Sequence, residues 1–456
     1  MPMFPDKPTR NPFSESVFGY RTDAVPENRL WSPRVGFNYD VSGDGNEQVR
    51  GGLGLFTGRT PYVWLSNQYG NTGNEFTRVS VTNNVANRIP VVADPKSQPA
   101  TIPGTRVLGN EIDVIDPDYQ FPSLWRGNIG YDRNIWGLLG SADFLFSKTV
   151  NDVKYQNINL IQTGTRFDGR PAYDINSGGR VSSAISNTIL LTNTDLGRQW
   201  NMTLQLKRPF RNGWFASGSY AFGQTKSSLD ATSSQAASNW GNARTPGDPN
   251  NLPLATSNFD VGHRITLATS YLWQMPRGFS LTSSMFYNGQ SGRPYSISYN
   301  NTDVNGDAQF FNDLLYVPNN ASDVTVTNGT AAQLEAFING DECLSTSRGK
   351  IAERNCARQP FTNIMDVKLA LGLPVRRATV ELTMDVLNFL NLLNSEWGRY
   401  EFLDFQTLNS VAYRGVDATG KAIYDIATIS SPTFRKFTID NLRSRWQAQV
   451  GLRVRF

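Results

Sequence analysis

The sequence predicts an all-β fold of about eleven long antiparallel strands, on the basis of three observations. Apolar side chains recur at every second position along most of the chain, which is the period of a strand with one apolar face. Several stretches keep this alternation for about nine residues or more, whereas the strands of soluble sandwiches average five or six. The segments between the stretches are alternately short and long. Together these features predict one large amphipathic sheet.

The clearest strand is the C-terminal one, residues 446–456. Its apolar positions alternate with arginine, glutamine and glycine, and they are Trp446, Ala448, Val450, Leu452, Val454 and Phe456. Residues 200–207 and 379–386 repeat the pattern. Eight further strands are predicted within 35–41, 49–56, 124–131, 140–150, 214–222, 264–274, 279–287 and 365–373.

The connections predict how the strands are oriented. Five of them are tight turns, at 42–47, 132–137, 209–213, 275–278 and 373–378. The segments between these hairpins are roughly 30 to 65 residues long and rich in Asn, Ser, Thr, Gly and Asp, and structureless loops of that size are rare in compact soluble domains. Short turns on one side and long loops on the other are typical of outer-membrane β-barrels, whose turns are periplasmic and whose loops are extracellular. We therefore predict an antiparallel transmembrane β-barrel.

Composition agrees with this prediction and excludes other classes. The mean hydropathy is −0.40 and no apolar run approaches the ~20 residues of a transmembrane helix. The 43 Lys and Arg and 39 Asp and Glu are spread along the chain, so no basic arm favours nucleic acid. Trp and Tyr near strand ends are typical of an interfacial aromatic belt. With one His, no phosphate-binding loop and no nucleophile elbow in the sequence, we predict that the chain is not an enzyme. The alternate positions opposite the apolar ones carry charges, which we expect to line a channel or to pair with one another.

An acidic stretch is a weak candidate for calcium binding. Asp303, Asn305, Asp307 and Asp313 have a spacing that could surround a hard cation with oxygen ligands. Ala308 and Leu314, however, stand where a helix–loop–helix calcium site has Gly and Glu. The alternative is a turn in which these side chains bind their own backbone.

The two cysteines, Cys343 and Cys356, are 13 residues apart and could be free thiols or a disulfide. They follow a predicted short helix at 331–338, whose N-terminus has a capping box formed by Thr330 and Gln333. Both lie in one long loop, and thiols outside the cell are not kept reduced, so we favour a disulfide. The single histidine, His263, is predicted to be structural.

Several stretches together resemble the C-terminal part of TonB-dependent outer-membrane receptors, specifically the Oar-like group. They are SPRVGFNYD (32–40), RGGLGLFTGRTPYVWLSNQYGNTG (50–73), SLWRGNIGYDRNIWG (123–137), DVGHRITLATSYLW (260–273), DVNGDAQFFNDLLYVP (303–318), DVLNFLNLLNSEWG (385–398) and SRWQAQVGLRVRF (444–456). The resemblance implies a barrel of about 22 strands with a plug in its lumen, of which this chain would supply about eleven. It also implies that the last strand is an assembly signal read by the barrel assembly machinery, carried by Trp446, Val450, Leu452, Val454 and Phe456.

The function implied by this resemblance is that of a receptor in the outer membrane of a Gram-negative bacterium. Such a receptor binds a large extracellular substrate and takes it up into the periplasm, with energy from the TonB complex transmitted through the plug. Because the sequence shows no signal peptide, plug or N-terminal strands, residues 1–456 are interpreted as the C-terminal part of a longer product or of a truncated reading frame. The alternatives are a surface adhesion or secretion-assisting protein on the same barrel and a passive porin-like barrel. No cofactor is predicted beyond the possible Ca²⁺.

Overall fold

The computed structural model describes residues 7–75, 92–97, 111–375 and 378–455. In chain order its strands are β1 (Arg34–Asp40), β2 (Glu47–Thr57), β3 (Ile112–Ile115), β4 (Ser123–Ile135), β5 (Leu138–Asn157), β6 (Gly164–Thr165), β7 (Pro171–Ala172), β8 (Thr188–Thr194), β9 (Gly197–Arg211), β10 (Trp214–Ser227), β11 (Ala255–Thr256), β12 (His263–Gln274), β13 (Ser280–Gln290), β14 (Pro294–Tyr299), β15 (Tyr316–Val317), β16 (Thr325–Thr327), β17 (Lys350–Ile351), β18 (Ala357–Arg358), β19 (Thr362–Val375), β20 (Ala378–Leu387), β21 (Glu401–Phe402), β22 (Thr407–Val416), β23 (Ala422–Asp425), β24 (Thr438–Ile439) and β25 (Gln447–Arg455). The α-helices are α1 (Pro12–Phe18), α2 (Tyr62–Gly70), α3 (Ala236–Gly241), α4 (Ala331–Asn339), α5 (Glu342–Thr346), α6 (Phe389–Leu393), α7 (Ala427–Ser430) and α8 (Asn441–Ser444). Single 3₁₀ turns cover Pro276–Gly278, Ala321–Asp323 and Asp404–Gln406.

One large sheet dominates the fold, and the prediction of an all-β antiparallel architecture is confirmed. Its strands follow the order β1-β2-β4-β5-β9-β10-β12-β13-β19-β20-β25, and each neighbouring pair is antiparallel. Every stretch in which the sequence alternates overlaps one of these strands. Within the described residues β1 pairs only with β2, and β25 only with β20, so the sheet is open along two edges.

Two of the tight turns are much shorter than the sequence suggested. Strands β4 and β5 are joined by Trp136 and Gly137 alone, whose φ angles are 53° and 81°. Asn212 and Gly213 join β9 to β10 with φ angles of 52° and 75°. Two successive positive φ angles match the twist of a two-residue hairpin, so the flanking strands continue through residues predicted to be turn.

Strand β5 is longer than its alternation indicated, because two different neighbours support it. Residues 139–148 pair with β9 in the large sheet. Residues 152–157 pair instead with β8, which also binds β3 in parallel. The strand predicted from alternation, 140–150, therefore ends near the point where the partner of β5 changes from β9 to β8.

A second, five-stranded sheet lies on the long-loop side of the large sheet. Its order is β16-β23-β22-β14-β18, and it combines strands from the connections 291–361 and 388–446. The stretches NSVAYRGVD (409–417) and GKAIYDI (420–426) on either side of DATG also predict a hairpin within the last long loop, and it is present as β22 and β23. Strand β14 joins β22 in parallel, which shows that two connections predicted as separate loops form one structure.

The connections pack around two main hydrophobic cores, and we call their described parts, together with residues 7–33, the loop body. One core is built around β14, β22, β23 and helices α4 and α5, with Tyr295, Ile297, Tyr299, Leu334, Leu344 and Tyr424 among its buried side chains. The other joins α2 and α3 to the far end of β5 and includes Leu65, Tyr119, Tyr155 and Trp240. Among the described residues, no helix has the length and hydrophobicity needed to cross a bilayer.

Candidate functional site: the two faces of the sheet and the loop body

The two faces of the large sheet differ in chemistry because register preserves the alternation from strand to strand. On one face Leu371 lies opposite Leu382, and Leu382 lies opposite Leu452. Similar rows continue across the sheet, such as Phe144 opposite Met202 and Met202 opposite Phe222. We call this surface the apolar face; its large side chains remain exposed, for example by 69% at Leu452. An exposed apolar surface of this extent is what a bilayer would cover.

The opposite face is polar, and several of its charges form ion pairs. The guanidinium of Arg50 lies 2.7 Å from the carboxylates of both Asp132 and Asp143, which links β2, β4 and β5. Lys368 lies 3.0 Å from Asp385 on the neighbouring strand. These half-exposed pairs each contribute little stability, about 1 kcal/mol at most. Their arrangement instead makes this face compatible with water.

His263 begins β12 on the apolar face, at its loop end. Its Nδ1 lies 2.7 Å from the hydroxyl of Tyr220, and its ring is stacked on Phe222 with centroids 4.2 Å apart. Both contacts are those of a packed interfacial ring, which agrees with the structural role predicted for this residue.

Inside the loop body, Arg170 is the most completely enclosed charge. Its side chain and those of Asp168 and Asp313 are all 0% exposed. It lies 2.7 Å from each carboxylate and also donates to the carbonyl of Leu314 at 2.8 Å. Burial alone would lower the pKa of Arg170, but the charges of Asp313 and Asp168 outweigh it and raise the pKa. The cluster joins the 158–196 connection to the 291–361 connection.

Of the four candidate calcium ligands, Asp313 belongs to this cluster and the other three lie beside it, and their side-chain oxygens already accept hydrogen bonds. Asp303 accepts hydrogen bonds from the backbone N–H groups of Gly306, Asp307 and Ala308 at 2.7 to 3.1 Å. Asp313 accepts from the N–H of Val304 and from Arg170, both at 2.7 Å. Across the described ranges, no three acidic, His or Cys side chains are grouped so that they could hold a metal ion. These hydrogen bonds are those of a turn that binds its own backbone, and calcium binding stays a prediction.

Asp307, like Asp303, has no cationic partner among the described residues, and it is the more deeply buried of the two. Its carboxylate accepts from the side chains of Asn305 and Asn312 at 3.1 and 2.9 Å. Burial, followed by the charges of Asp313 and Asp303, raises its pKa to about 7. Oδ1 of the adjacent Asn312 is buried without a hydrogen bond, and a protonated Asp307 could donate to this oxygen if the Asn312 amide were rotated.

The two cysteines are joined in the structure, with 1.90 Å between the sulfur atoms of Cys343 and Cys356. Helix α4, preceding them, has the predicted capping box at Thr330 and Gln333. Cys343 is buried in the core of the second sheet, whereas Cys356 is exposed. Next to Cys356, Asn355 donates to the carbonyl of Thr256 at 2.7 Å, so the disulfide fastens this core to the connection that follows β10.

The residues assigned to the assembly signal lie on the edge strand β25 or beside it. Trp446, Val450, Leu452 and Val454 are exposed. Val450, Leu452 and Val454 belong to the apolar face, as the alternation requires. Phe456 lies outside the described residues, and the role of this segment stays a prediction.

Sequence reasoning missed the cluster centred on Arg170. Its partner Asp313 lies 143 positions away in the chain, and an isolated arginine in a polar loop carries no periodic signal. The sequence also gave no indication of Phe405, which is 91% exposed on a 3₁₀ turn with a φ of 50°. Its neighbour Gln406 anchors the turn by donating to the carbonyls of Asn258 and Pro294, both at 3.0 Å.

Three solved structures illustrate what the chain is similar to. The outer membrane transporter YddB from Escherichia coli is 12% identical, with a TM-score of 0.41 and coverage of 93% of this chain and 40% of its own. The ferric enterobactin receptor PfeA from Pseudomonas aeruginosa, as a mutant in complex with enterobactin, is 12% identical, with a TM-score of 0.40 and coverage of 93% and 40%. BauA, the ferric preacinetobactin receptor from Acinetobacter baumannii, is 9% identical, with a TM-score of 0.38 and coverage of 93% and 36%. The chain thus spans at most about two fifths of their length.

None of the curated proteins matches the chain. A family model does match, over residues 19–396, and it describes the outer membrane beta barrel domain. That range includes most of the large sheet and of the loop body. The chain therefore belongs to the outer membrane β-barrel domain family, and its place is the outer membrane.

Proposed function

We propose that the chain is the C-terminal part of an Oar-like TonB-dependent outer-membrane receptor, which binds a large extracellular substrate and imports it into the periplasm. The folded loop body is the observation that carries this proposal. A buried ionic cluster, a second sheet and a disulfide hold its connections together. Order of this kind reduces the entropy lost on binding, which suits specific recognition and is not needed by a passive pore.

Strand direction supports the proposal that further strands complete the barrel. Both β1 and β25 run from the long-loop side to the tight-turn side, because the path between them contains an even number of antiparallel steps. Closing the sheet with antiparallel pairs alone therefore requires an odd number of additional strands. Eleven more would give the barrel of about 22 strands known for plugged outer-membrane transporters.

The polar face of the large sheet supports the proposal that the closed barrel holds a plug domain in a water-filled lumen. In a closed barrel this face would line the lumen, where its paired charges would meet water and a plug domain. The plug would transmit energy from the TonB complex, and the barrel assembly machinery would recognise the segment 446–456.

The test compares three strains of the host: wild type, a deletion of the complete gene, and a strain without TonB. Each is grown in medium containing candidate substrates, and the loss of each compound from the medium is measured by mass spectrometry. A receptor of the proposed kind should remove at least one compound in the wild type but in neither mutant. Uptake retained without TonB would favour the porin-like alternative. Cell attachment lost only in the gene deletion would favour the adhesion alternative.

A deletion variant tests whether uptake depends on the loop body. Deletion of residues 331–358 from the complete protein removes α4, α5 and both cysteines, so it should abolish uptake while leaving the amount of protein in the outer membrane unchanged. As a matched control, shortening the exposed hairpin tip at 417–420 should preserve uptake. Unchanged uptake after the larger deletion would contradict the assignment of recognition to the loop body.

A further inference from the structure

A groove of about 570 Å³ crosses the apolar face where strands β4, β5, β9, β10 and β12 lie side by side. Small residues form its floor: Gly140, Ala142 and Gly218. Larger side chains border it, among them Tyr131, Ile135, Leu204, Leu206, Tyr220 and Leu267. The groove is therefore a depression in a surface that is elsewhere covered by bulky side chains.

At Gly140 the floor is open because of residue choice, since the backbone there would accept a larger side chain. A Cβ atom added to Gly140 would have as its nearest neighbours the Arg133 carbonyl oxygen at 3.7 Å and a Leu206 methyl at 4.0 Å. Glycine inside a strand costs about 0.5–1 kcal/mol relative to alanine. Where a side chain would fit, such a glycine marks a place that another molecule approaches closely.

The turn-side end of the groove is basic. Arg133 lies directly opposite Gly140, and Arg208 lies two positions beyond Leu206 on the same face. The guanidinium of Arg208 also covers the Trp214 ring, 4.6 Å from its centroid. For neither arginine does an ion pair within 4.0 Å occur in the part of the chain that the structure describes.

One carboxylate lies nearby and must be included. Glu47 is directly opposite Arg133, and its Oε1 accepts a hydrogen bond from the Tyr131 hydroxyl at 2.6 Å. Two guanidinium groups and one carboxylate leave this end of the groove with a net positive charge. An anion would thus be attracted to it, and a planar guanidinium is well suited to bind phosphate.

We propose that this groove is a phospholipid site, in which one acyl chain lies on the floor formed by Gly140, Ala142 and Gly218 and the phosphate binds Arg133 and Arg208. The chain belongs to an outer-membrane barrel family, so the apolar face borders hydrocarbon, and the tight turns mark the periplasmic leaflet. Four inter-strand spacings of about 4.8 Å give the groove a length of roughly 19 Å across the strands, and a strand tilt of about 40° gives this length a component of roughly 12 Å along the membrane normal. Half of the ~30 Å hydrocarbon core is the depth available to one acyl chain, so the groove can accommodate most of such a chain.

The experiment uses the complete protein, reconstituted in phospholipid vesicles that contain a small fraction of a phospholipid with a photoreactive group in its acyl chain. Labelled peptides are identified by mass spectrometry after illumination. In the wild type, labelling should concentrate in residues 131–142 and 204–220. Gly140→Leu should reduce it several-fold, because the added side chain occupies the floor. Ala448→Leu, on the same face but outside the groove, is the matched control and should leave the labelling unchanged.

The phosphate contact is tested by Arg133→Gln with Arg208→Gln, at one exposed and one half-buried arginine, and this variant does not depend on Gly140→Leu folding correctly. This variant should lose labelling by the phospholipid probe but not by a diacylglycerol probe with the same acyl chain. Labelling spread evenly over the apolar face, or wild-type labelling in the Gly140→Leu protein, would overturn the proposal.

Discussion

At the scale of single residues, Arg170 has the largest expected effect on the loop body. It is enclosed together with two carboxylates, so its removal would leave Asp168 and Asp313 buried without a counter-ion. Breaking a buried pair in this way costs about 3–5 kcal/mol. This expectation concerns stability, because a buried ion pair is not by itself evidence of a functional site.

We predict that Arg170→Met destabilises the junction between the 158–196 and 291–361 connections. Native-state proteolysis should show faster cleavage within both connections, corresponding to several kcal/mol. Arg414→Met is the control, since Arg414 is 58% exposed and pairs with Asp425 at 3.0 Å; it should cost less than about 1 kcal/mol. Equal cleavage of the two variants would contradict the importance of the cluster.

The raised pKa of Asp307 leads us to predict that the stability of the same region depends on pH. Its pKa is raised to about 7 in the folded protein, so between about pH 4 and 7 the folded state holds a proton that the unfolded chain releases. Stability of the turn should therefore fall as pH rises through this window. Hydrogen-exchange protection of residues 303–313, corrected for the intrinsic rate, should be higher at pH 5 than at pH 8 in the wild type. In Asp307→Asn the difference should shrink but not vanish, because burial also raises the pKa of Asp303 and Asp313; an unchanged difference would exclude Asp307 as a cause.

At the scale of elements, the disulfide and the second sheet form one unit. Cys343 lies in the hydrophobic core that β14, β22 and β23 also build, while Cys356 is close to residues that bind Thr256. The bond closes a short loop, and in the chain-entropy model such closure contributes about 3 kcal/mol. The stability of this unit therefore depends in part on a disulfide bond whose Cys356 end is exposed to solvent.

We predict that Cys343→Ser with Cys356→Ser makes residues 341–358 sensitive to protease, whereas the large sheet keeps its wild-type resistance. A reducing agent should produce the same effect in the wild type and no further effect in the variant. Thr346→Ser, an exposed change in the same loop, serves as the control. Protection of 341–358 in the double variant would show that packing alone holds this element.

At the scale of the whole molecule, the two sides of the sheet define an orientation in the membrane. The turn after β1 contains the exposed Ser42, and the tip of the β22–β23 hairpin contains the exposed Ala418. Because long loops are extracellular and short turns periplasmic in this class, these two positions should lie on opposite sides of the outer membrane.

This orientation can be measured with single cysteines in the complete protein on intact cells. A membrane-impermeant maleimide should label Ala418→Cys directly but Ser42→Cys only after the outer membrane is permeabilised. The native disulfide does not react with the reagent, so it gives no background. Direct labelling of Ser42→Cys would reverse the assigned topology.

The sequence by itself determined the strands of the large sheet, their direction and the chemistry of their two faces. A strand between lipid and water must alternate, and alternation such as that of Val380, Leu382, Met384 and Val386 is visible without a partner. The hairpin β22–β23, the capped helix α4 and the cysteine pairing could be predicted for the same reason, because their signals are local.

Only the tertiary structure decided how the loop body is assembled. All six residues of β14 are buried, so this strand shows no alternation, and its parallel partner β22 comes from another connection more than 100 residues away. The Arg170 cluster and the groove above Gly140 depend likewise on side chains that are distant in sequence. Local periodicity indicates on which face of a strand a residue lies. Burial on both faces and long-range ion pairs depend instead on contacts between segments that are distant in sequence, and no local pattern encodes those contacts.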